Sequence, residues 1–303
     1  QETGMPLTDT ENRILAILGA ALFGGEAPEE TADWSAVCTE AANQAVPSFI
    51  MLNKYAGVSP EQLSYWRGVL TQSEMNNFRV WQAHGNIHKL LTEAGIEYVI
   101  LKGCASAYYY ADPSKRTMGD VDFLVHPEDA ERTTVLLLEN GFMQTGNNED
   151  YHTGFCKGRM TFEMHTEPAG IPEGETGAVI RSYFSDIFSS KELVRAEGIE
   201  FYKPSDFHHE MVLLLHSSHH ILSGGMGLRQ LCDLAAFLGK EGDSNLSENL
   251  VSKLDAVGLW KFTRIMAVTC CRYLGLPFII VLVLGRQFHS LLLSVRHTPV
   301  SPL

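Results

Sequence analysis

The sequence is short of positive charge, of cysteine and of long apolar runs, and each shortage removes a class of function. Across 303 residues, 23 Lys and Arg face 36 Asp and Glu, giving a formal net charge of −13. A chain this acidic is a poor candidate for coating a nucleic-acid backbone, where affinity comes from neutralising phosphates, and a reasonable one for a site that gathers metal cations. The cysteines Cys38, Cys104, Cys156, Cys232, Cys270 and Cys271 are mostly set among apolar neighbours, and none belongs to a CxxC pair. That is not the composition of a disulfide scaffold. No basic or apolar leader is seen, so no signal peptide is expected. The apolar stretch from Leu274 to Gly285 is interrupted by Pro277 and falls well short of the roughly 20 residues needed to cross a bilayer. It reads as a buried segment, no membrane partner is expected, and the expected location is cytoplasmic. Repeats and low-complexity tracts are missing too.

What is present suffices for a substantial core: 45% of residues are hydrophobic and 19% charged, which argues against extensive disorder. Residues 1–95 read as a helical region. Glu11 to Phe23 and Asp33 to Ala45 are candidate helices, and Pro60 opens a long one. In that long helix Leu63, Trp66, Leu70, Phe78, Trp81, Ile87, Leu90 and Leu91 form a core face, and Gly95 is the stop. Residues 96–166 have a different texture. Glu97 to Leu101 has the β-branched content of a buried strand, Cys104 to Tyr110 that of a short helix, and Asp120 to Val125 is a second strand. Pro127 to Asn140 is helical, with Val135, Leu136 and Leu138 as its apolar positions. Strands follow over Phe142 to Thr145, Tyr151 to Lys157 and Met160 to His165, the last two joined by a tight turn at Gly158 and Arg159. Residues 167–303 return to helix, with Ser205 as a cap, Gly224 and Gly225 as a break, a helix over Met226 to Leu238 and a polar linker over Gly239 to Ser244. Further helices are expected over Leu246 to Ala256 and Leu259 to Leu274. The expected class is α+β, a small mixed sheet with its own helices, flanked on both sides by helical regions.

The chemistry concentrates in Gly119-Asp120-Val121-Asp122-Phe123-Leu124-Val125. On a strand, Asp120 and Asp122 share one face while Val121, Phe123 and Val125 take the other. Two carboxylates so close repel unless a cation or proton lies between them, and a hard divalent metal such as Mg²⁺, or Mn²⁺ in its place, satisfies both. The competing reading is a strand edge with both acids in water. In Thr161 to His165 the same alternation puts Glu163 with His165. If this strand lies beside the first, Glu163 completes a three-carboxylate cluster able to serve two metals; otherwise it is an exposed hairpin residue. His165 can orient Glu163, contact phosphate, or form a core hydrogen bond.

These segments together, Val99 to Gly103 (VILKG), Arg116, Gly119 to Val125 (GDVDFLV) and Phe162 to His165 (FEMH), resemble the nucleotidyltransferase superfamily with a DNA-polymerase-beta-like catalytic fold. The resemblance is closest to a bacterial branch with an LKG element, an Arg, a GDxD strand and a later ExH. Leu213 to His216 and Gly227 to Leu234 resemble the helical part of that branch. The resemblance implies a catalytic core over residues 96–166, with residues 167–303 forming part of the substrate cleft. It implies Asp120, Asp122 and Glu163 as metal-binding catalytic residues, and an NTP as co-substrate whose nucleoside monophosphate passes to an acceptor with release of pyrophosphate. Its Gly-rich turn falls on Gly103 and Cys104, where Cys stands in place of the usual Ser or second Gly. There the backbone can approach a phosphate, with Lys102 and Arg116 adding charge and Ser106 a hydroxyl. The acceptor is a small molecule or a protein, with an RNA terminus also open.

Two other readings compete. One is a module that retains the fold and binds nucleotides or proteins without turnover. The other, a metal-dependent hydrolase, is suggested by His208, His209, His216, His219 and His220, of which His209, His216 and His220 share a helical face. There is no HExxH motif to support it, and His216 is assigned a structural or substrate-pocket role. Arg229 and Asp233, four residues apart, have the spacing of an ordinary helix pair; their place in the resembling segment also implies a part in closing the nucleotide cleft.

Overall fold

The computed structural model describes residues 6–27, 32–149, 152–241 and 248–277. Three helices open the chain: α1 (Asp9–Phe23), α2 (Trp34–Asn43) and α3 (Pro60–Glu93). Each start has a chemical cause. Thr8 and Glu11 form a reciprocal capping box on α1, Asp33 caps α2, and Ser59 with Gln62 caps α3, with Pro60 in its first turn. Gly95 then adopts a φ of +64° just past α3, the left-handed stop that a Gly takes without steric cost. Next come β1 (Tyr98–Ile100), α4 (Cys104–Ala107), β2 (Asp120–Val125), α5 (Ala130–Glu139), β3 (Met143–Glu149), β4 (His152–Lys157) and β5 (Met160–His165). The remainder is α6 (Gly174–Tyr183), β6 (Glu192–Ala196), β7 (Ile199–Lys203), α7 (Asp206–Ser223), α8 (Leu228–Glu241), α9 (Glu248–Ala256) and α10 (Trp260–Leu274). The structure is the α+β arrangement expected, and no described helix is long and apolar enough to cross a membrane.

The main sheet has the order β1-β2-β5-β4-β3. β2 and β5 are parallel neighbours in a register that sets Asp122 beside Glu163 and Leu124 beside His165, while the other pairings are antiparallel. The sheet separates two hydrophobic cores. Val121, Phe123, Val125, Phe162 and Met164 point into one, with Trp81, Ile87 and Leu91 of α3. Val99, Leu101 and Leu124 point into the other, larger one with α1, α2, α7, α8 and α10. Strand alternation therefore aims Asp120, Asp122, Glu163 and His165 toward the helical half of the molecule.

Several elements differ from the sequence reading. The α3 stripe is not uniform: Phe78 is 65% exposed, because the helix leaves the large core, where Trp66 packs, and joins the sheet core from Val80 onward. In α5 the buried side is Thr133 and Leu137, and Val135 and Leu138 are exposed. The helix after Gly103 is a single turn, ending at Ala107. α8 continues through Gly239 to Glu241 where a linker was expected, and the rest of that linker lies outside the described residues, as does the apolar stretch beyond Pro277. The region after residue 166 also contains an unforeseen β6–β7 hairpin, whose Ile199 and Phe201 pack into the sheet core. Its turn residues, Glu197 and Gly198, have φ of 48° and 77°, the two-residue hairpin signature.

Candidate active site

The site is built on the sheet's inner face from the turn after β1, from β2 and from β5. The backbone N–H of Leu101 donates to the Asp122 carbonyl at 3.0 Å, holding the end of β1 against β2. The chain then turns at Gly103, whose φ of 59° and ψ of −118° suit a residue without a side chain. Space demands the same residue: a Cβ there would lie 2.6 Å from Nε2 of His84, a fully buried α3 residue. Burial pushes His84 down to about 3, so a neutral imidazole backs the turn.

Asp122 is the centre of the cluster. Lys102 Nζ lies 2.9 Å from its Oδ1, and His165 Nε2 lies 3.2 Å from the same oxygen and 3.5 Å from Oε2 of Glu163. Burial alone would raise Asp122, yet Lys102 and His165 together hold it well below the usual carboxylate range. Burial works against the ammonium of Lys102 as well, and Asp122, Asp120 and Glu163 overcome it to push Lys102 upward. His165 is raised, its burial outweighed by hydrogen bonds to Asp122 and Glu163. Asp120 behaves oppositely to Asp122: the neighbouring Asp122 charge raises it, and burial adds to the effect. One ligand atom from each of Asp122, Glu163 and His165 can be chosen so that all lie within 4.8 Å of one another. Asp120 stands beside this trio on the same strand face.

The donors suit a divalent cation. Carboxylate oxygens are the ligands Mg²⁺ and Mn²⁺ prefer, and an imidazole is more readily accommodated by Mn²⁺. The Lys102 ammonium, drawn among three acids, shows that the position favours positive charge.

These groups line a cleft of about 290 Å³. Its floor is Lys102, Gly103, Gly119, Asp120, Asp122 and Glu163, and its far wall comes from α7 and α8 through Leu213, His216, Ser217, His220, Arg229 and Gln230. His216 and His220 meet Nε2 to Nε2 at 3.0 Å. Burial, Lys102 and His220 push His216 down to about 2, so it is neutral.

The other expected site residues are placed differently. Arg116 reaches the cleft edge, but its guanidinium is buried and forked onto Asp233 of α8 at 2.7 and 2.8 Å. Tyr110 donates to the same Asp233 carboxylate at 2.7 Å, so Asp233 is joined to Arg116 where the spacing suggested Arg229. Cys104 and Ser106 are buried and do not line the cleft. The α7–α8 wall is the half that sequence reasoning saw least of; its signals were the pocket role given to His216 and the resemblance of Leu213 to His216 and Gly227 to Leu234, which implied a cleft-closing part for Arg229 and Asp233. The histidines separate: His208 bonds Ser205 and the Tyr183 carbonyl, His209 stacks on Tyr109, and only His216 and His220 face the cleft.

The site is thus a mixed sheet whose clustered acids face a helical wall across a cleft. Residues 30–275 match a protein family described as uncharacterised nucleotidyltransferase, and the chain belongs to that family of enzymes. Among solved structures it is similar to the antibiotic-resistance factor ANT(2'')-Ia, at 12% identity over 64% of this chain and 96% of that one, with a TM-score of 0.42. It is also similar to an antigenic nucleotidyltransferase-like protein from Paracoccidioides brasiliensis, at 16% identity over 64% of this chain and 91% of that one, with a TM-score of 0.39. No curated protein matches the chain.

Proposed function

We propose that the protein transfers a nucleoside monophosphate from a metal-bound NTP, with Mg²⁺ or Mn²⁺, to the hydroxyl of a small molecule or a protein side chain. The acidic composition makes an RNA terminus the weaker choice of acceptor. The observation that carries this reading is the parallel register of β2 and β5, which sets Asp122 and Glu163 side by side, next to Asp120, facing a cleft. Asp120, Asp122 and Glu163 would hold the metal, with His165 fixing the orientation of Asp122 and Glu163 or adding a nitrogen ligand. When bound, the metal supplies charge stabilisation at the phosphorus and at the departing pyrophosphate. The acceptor oxygen forms a bond to the α-phosphorus, the bond from that phosphorus to the bridging oxygen breaks, and pyrophosphate leaves. The acceptor proton passes to a carboxylate, Glu163 in this reading. Gly103 lets the backbone approach the phosphates. Residues 96–166 with the α7–α8 wall of residues 167–303 form the working unit, residues 1–95 pack around it, and the setting is cytoplasmic.

The test is to incubate purified protein with each α-labelled NTP, Mg²⁺ and pooled acceptors, beside Asp122→Asn as a folded control. Label transfer that Asp122→Asn abolishes supports the proposal. Equal transfer by both proteins, or no binding of any Mg–NTP by the wild type, refutes it.

A further inference from the structure

Of the side chains lining the cleft, three carry full positive charge: Lys102, Arg116 and Arg229. Two are already committed. Lys102 is bound to Asp122 at 2.9 Å, and Arg116 has both ends of its fork on Asp233. Arg229 is half-buried in the cleft wall and has no ion-pair partner among the described residues. Asp233, one helical turn along, is taken. Its charge is felt across the cleft: it offsets a small part of the rise at Asp120, and at His220 it adds to a fall caused mainly by burial.

Its position on α8 adds a second argument. Arg229 is the second residue of a helix whose first turn contains no acidic side chain. A helix N-terminus is the positive end of the backbone dipole, where a cation is unfavourable and an anion welcome. A partnerless guanidinium there is electrostatically misplaced until an anion arrives. The cleft therefore has two unlike walls: carboxylates on the sheet, and a free guanidinium with the Gln230 amide and the paired imidazoles on the helices. A simple anion would be repelled by the first wall and a simple cation by the second. A polyphosphate chain carrying a divalent cation on one flank and bare oxygens on the other satisfies both.

We infer that Arg229, at the start of α8, is the phosphate clamp of this site and seats the terminal phosphates of the triphosphate, a role for which the sequence had pointed to Lys102 and Arg116. This rests on the nucleotidyl-transfer reading and names the part of the ligand that the helical wall receives. Arg116 becomes a positioning residue, tying the loop before β2 to α8 through Asp233 and so holding Arg229 opposite the carboxylates.

The experiment measures three affinities in wild type, Arg229→Ala and Arg229→Lys, each checked for fold by circular dichroism: Mg–ATP and Mg–tripolyphosphate by calorimetry, and Mn²⁺ alone by electron paramagnetic resonance. Losing a charge-assisted, forked contact should weaken both Mg–ATP and Mg–tripolyphosphate by about 10- to 100-fold in Arg229→Ala. Arg229→Lys should recover part of the loss, because charge is kept and the fork is not. Mn²⁺ alone should bind Arg229→Ala at least as well as wild type, which separates a phosphate role from damage to the carboxylates. Folded Arg229→Ala or Arg229→Lys with wild-type affinity for both polyphosphates overturns the inference. Loss of ATP affinity with tripolyphosphate affinity unchanged also overturns it, since that assigns Arg229 to the nucleoside. Wild type that binds neither polyphosphate refutes the nucleotidyl-transfer reading itself, and the clamp with it.

Discussion

Replacing Lys102 by Met removes an ammonium while keeping most of the side chain's volume, and it should have opposite effects on stability and on metal affinity. The Lys102–Asp122 pair has side chains only 17% and 2% exposed and a separation of 2.9 Å. Deleting one partner of a buried pair costs roughly 3–5 kcal/mol. The lower end applies, because His165 still reaches the same Asp122 oxygen. For a chain of 303 residues about 3 kcal/mol lowers Tm by roughly 5 °C. The sign with pH is fixed by the two shifts. Asp122 is lowered from 3.8, so its contribution is complete above that value and is lost only in stronger acid. Lys102 is raised from 10.5, so its contribution is complete below that value and is lost in strong base. Wild type should therefore keep this contribution across the neutral range. In Lys102→Met the carboxylates lose their counter-charge, their proton affinities rise, and the deficit should grow from pH 4.5 to pH 8.

Metal binding should move the other way. An ammonium and a divalent ion 4 Å apart repel by roughly 8 kcal/mol at an effective dielectric of 20, so Lys102 has to leave Asp122 before a metal can settle there. Without it, Mn²⁺ alone should bind at least about tenfold tighter, since a displacement worth more than 1.4 kcal/mol is no longer required. Thermal melts at pH 4.5 and pH 8, with Mn²⁺ titrations followed by electron paramagnetic resonance, measure both effects. A Lys102→Met protein with wild-type Tm at pH 8 and unchanged Mn²⁺ affinity would show that the ammonium does not stand among the acids in solution, and the argument would fail.

Three further outcomes are expected. Gly103→Ala combines a disfavoured backbone conformation with a Cβ 2.6 Å from His84 Nε2, and should cost roughly 2–5 kcal/mol by chemical denaturation; His84→Ala in the same background should relieve the clash, and no relief would mean the strain is purely backbone. Arg116→Ala leaves Asp233 buried without its counter-charge, with Tyr110 still donating to it, so about 3 kcal/mol of stability should be lost, and Asp233→Asn in that background should recover part of it. Glu210 on α7 is fully buried and pushed up to about 8 by burial alone. A raised carboxyl costs stability above its unfolded value, so Glu210→Gln should stabilise the protein increasingly from pH 4.5 to pH 8, by about 4 kcal/mol; parallel stability curves for the two proteins would show that Glu210 is solvated.

The sheet half of the site was legible because a strand's side-chain period is two. Asp120, Asp122, Glu163 and His165 each alternate with apolar residues, and that pattern alone put Asp120 with Asp122 on one face of their strand and Glu163 with His165 on one face of theirs. Whether β5 lay beside β2 was a matter of topology, and the parallel register is what brings Asp122 to Glu163. The β6–β7 hairpin was within reach, since Glu197-Gly198 stands between alternating segments, but surrounding helical patterns hid it. The partner of Arg116 was out of reach: Asp233 is 117 residues away, and a helix pattern says which face is apolar without saying which element it meets. The same holds for His216 and His220, whose i,i+4 spacing is equally that of a solvated face.

The three cations of the cleft show why residue type and proximity were an incomplete guide to role. Each stands near carboxylates in sequence or in space, and each has the chemistry to contact phosphate. Three clustered acids in the ligand-free protein repel one another unless a cation or a proton stays with them. Lys102 meets that need at Asp122, and His165, its proton affinity raised, supports it. Arg116 answers a different one: Asp233 is buried in α8 and needs a partner, and the bond between them fixes the far wall relative to β2. Folding thus accounts for two of the three positive charges in the ligand-free protein. Arg229 is the one it does not account for, and it sits where the helix dipole makes a cation unfavourable and an anion welcome. A positive charge that the fold does not require, facing acids that a metal would fill, is the feature that most directly reports on what the cleft was shaped to hold.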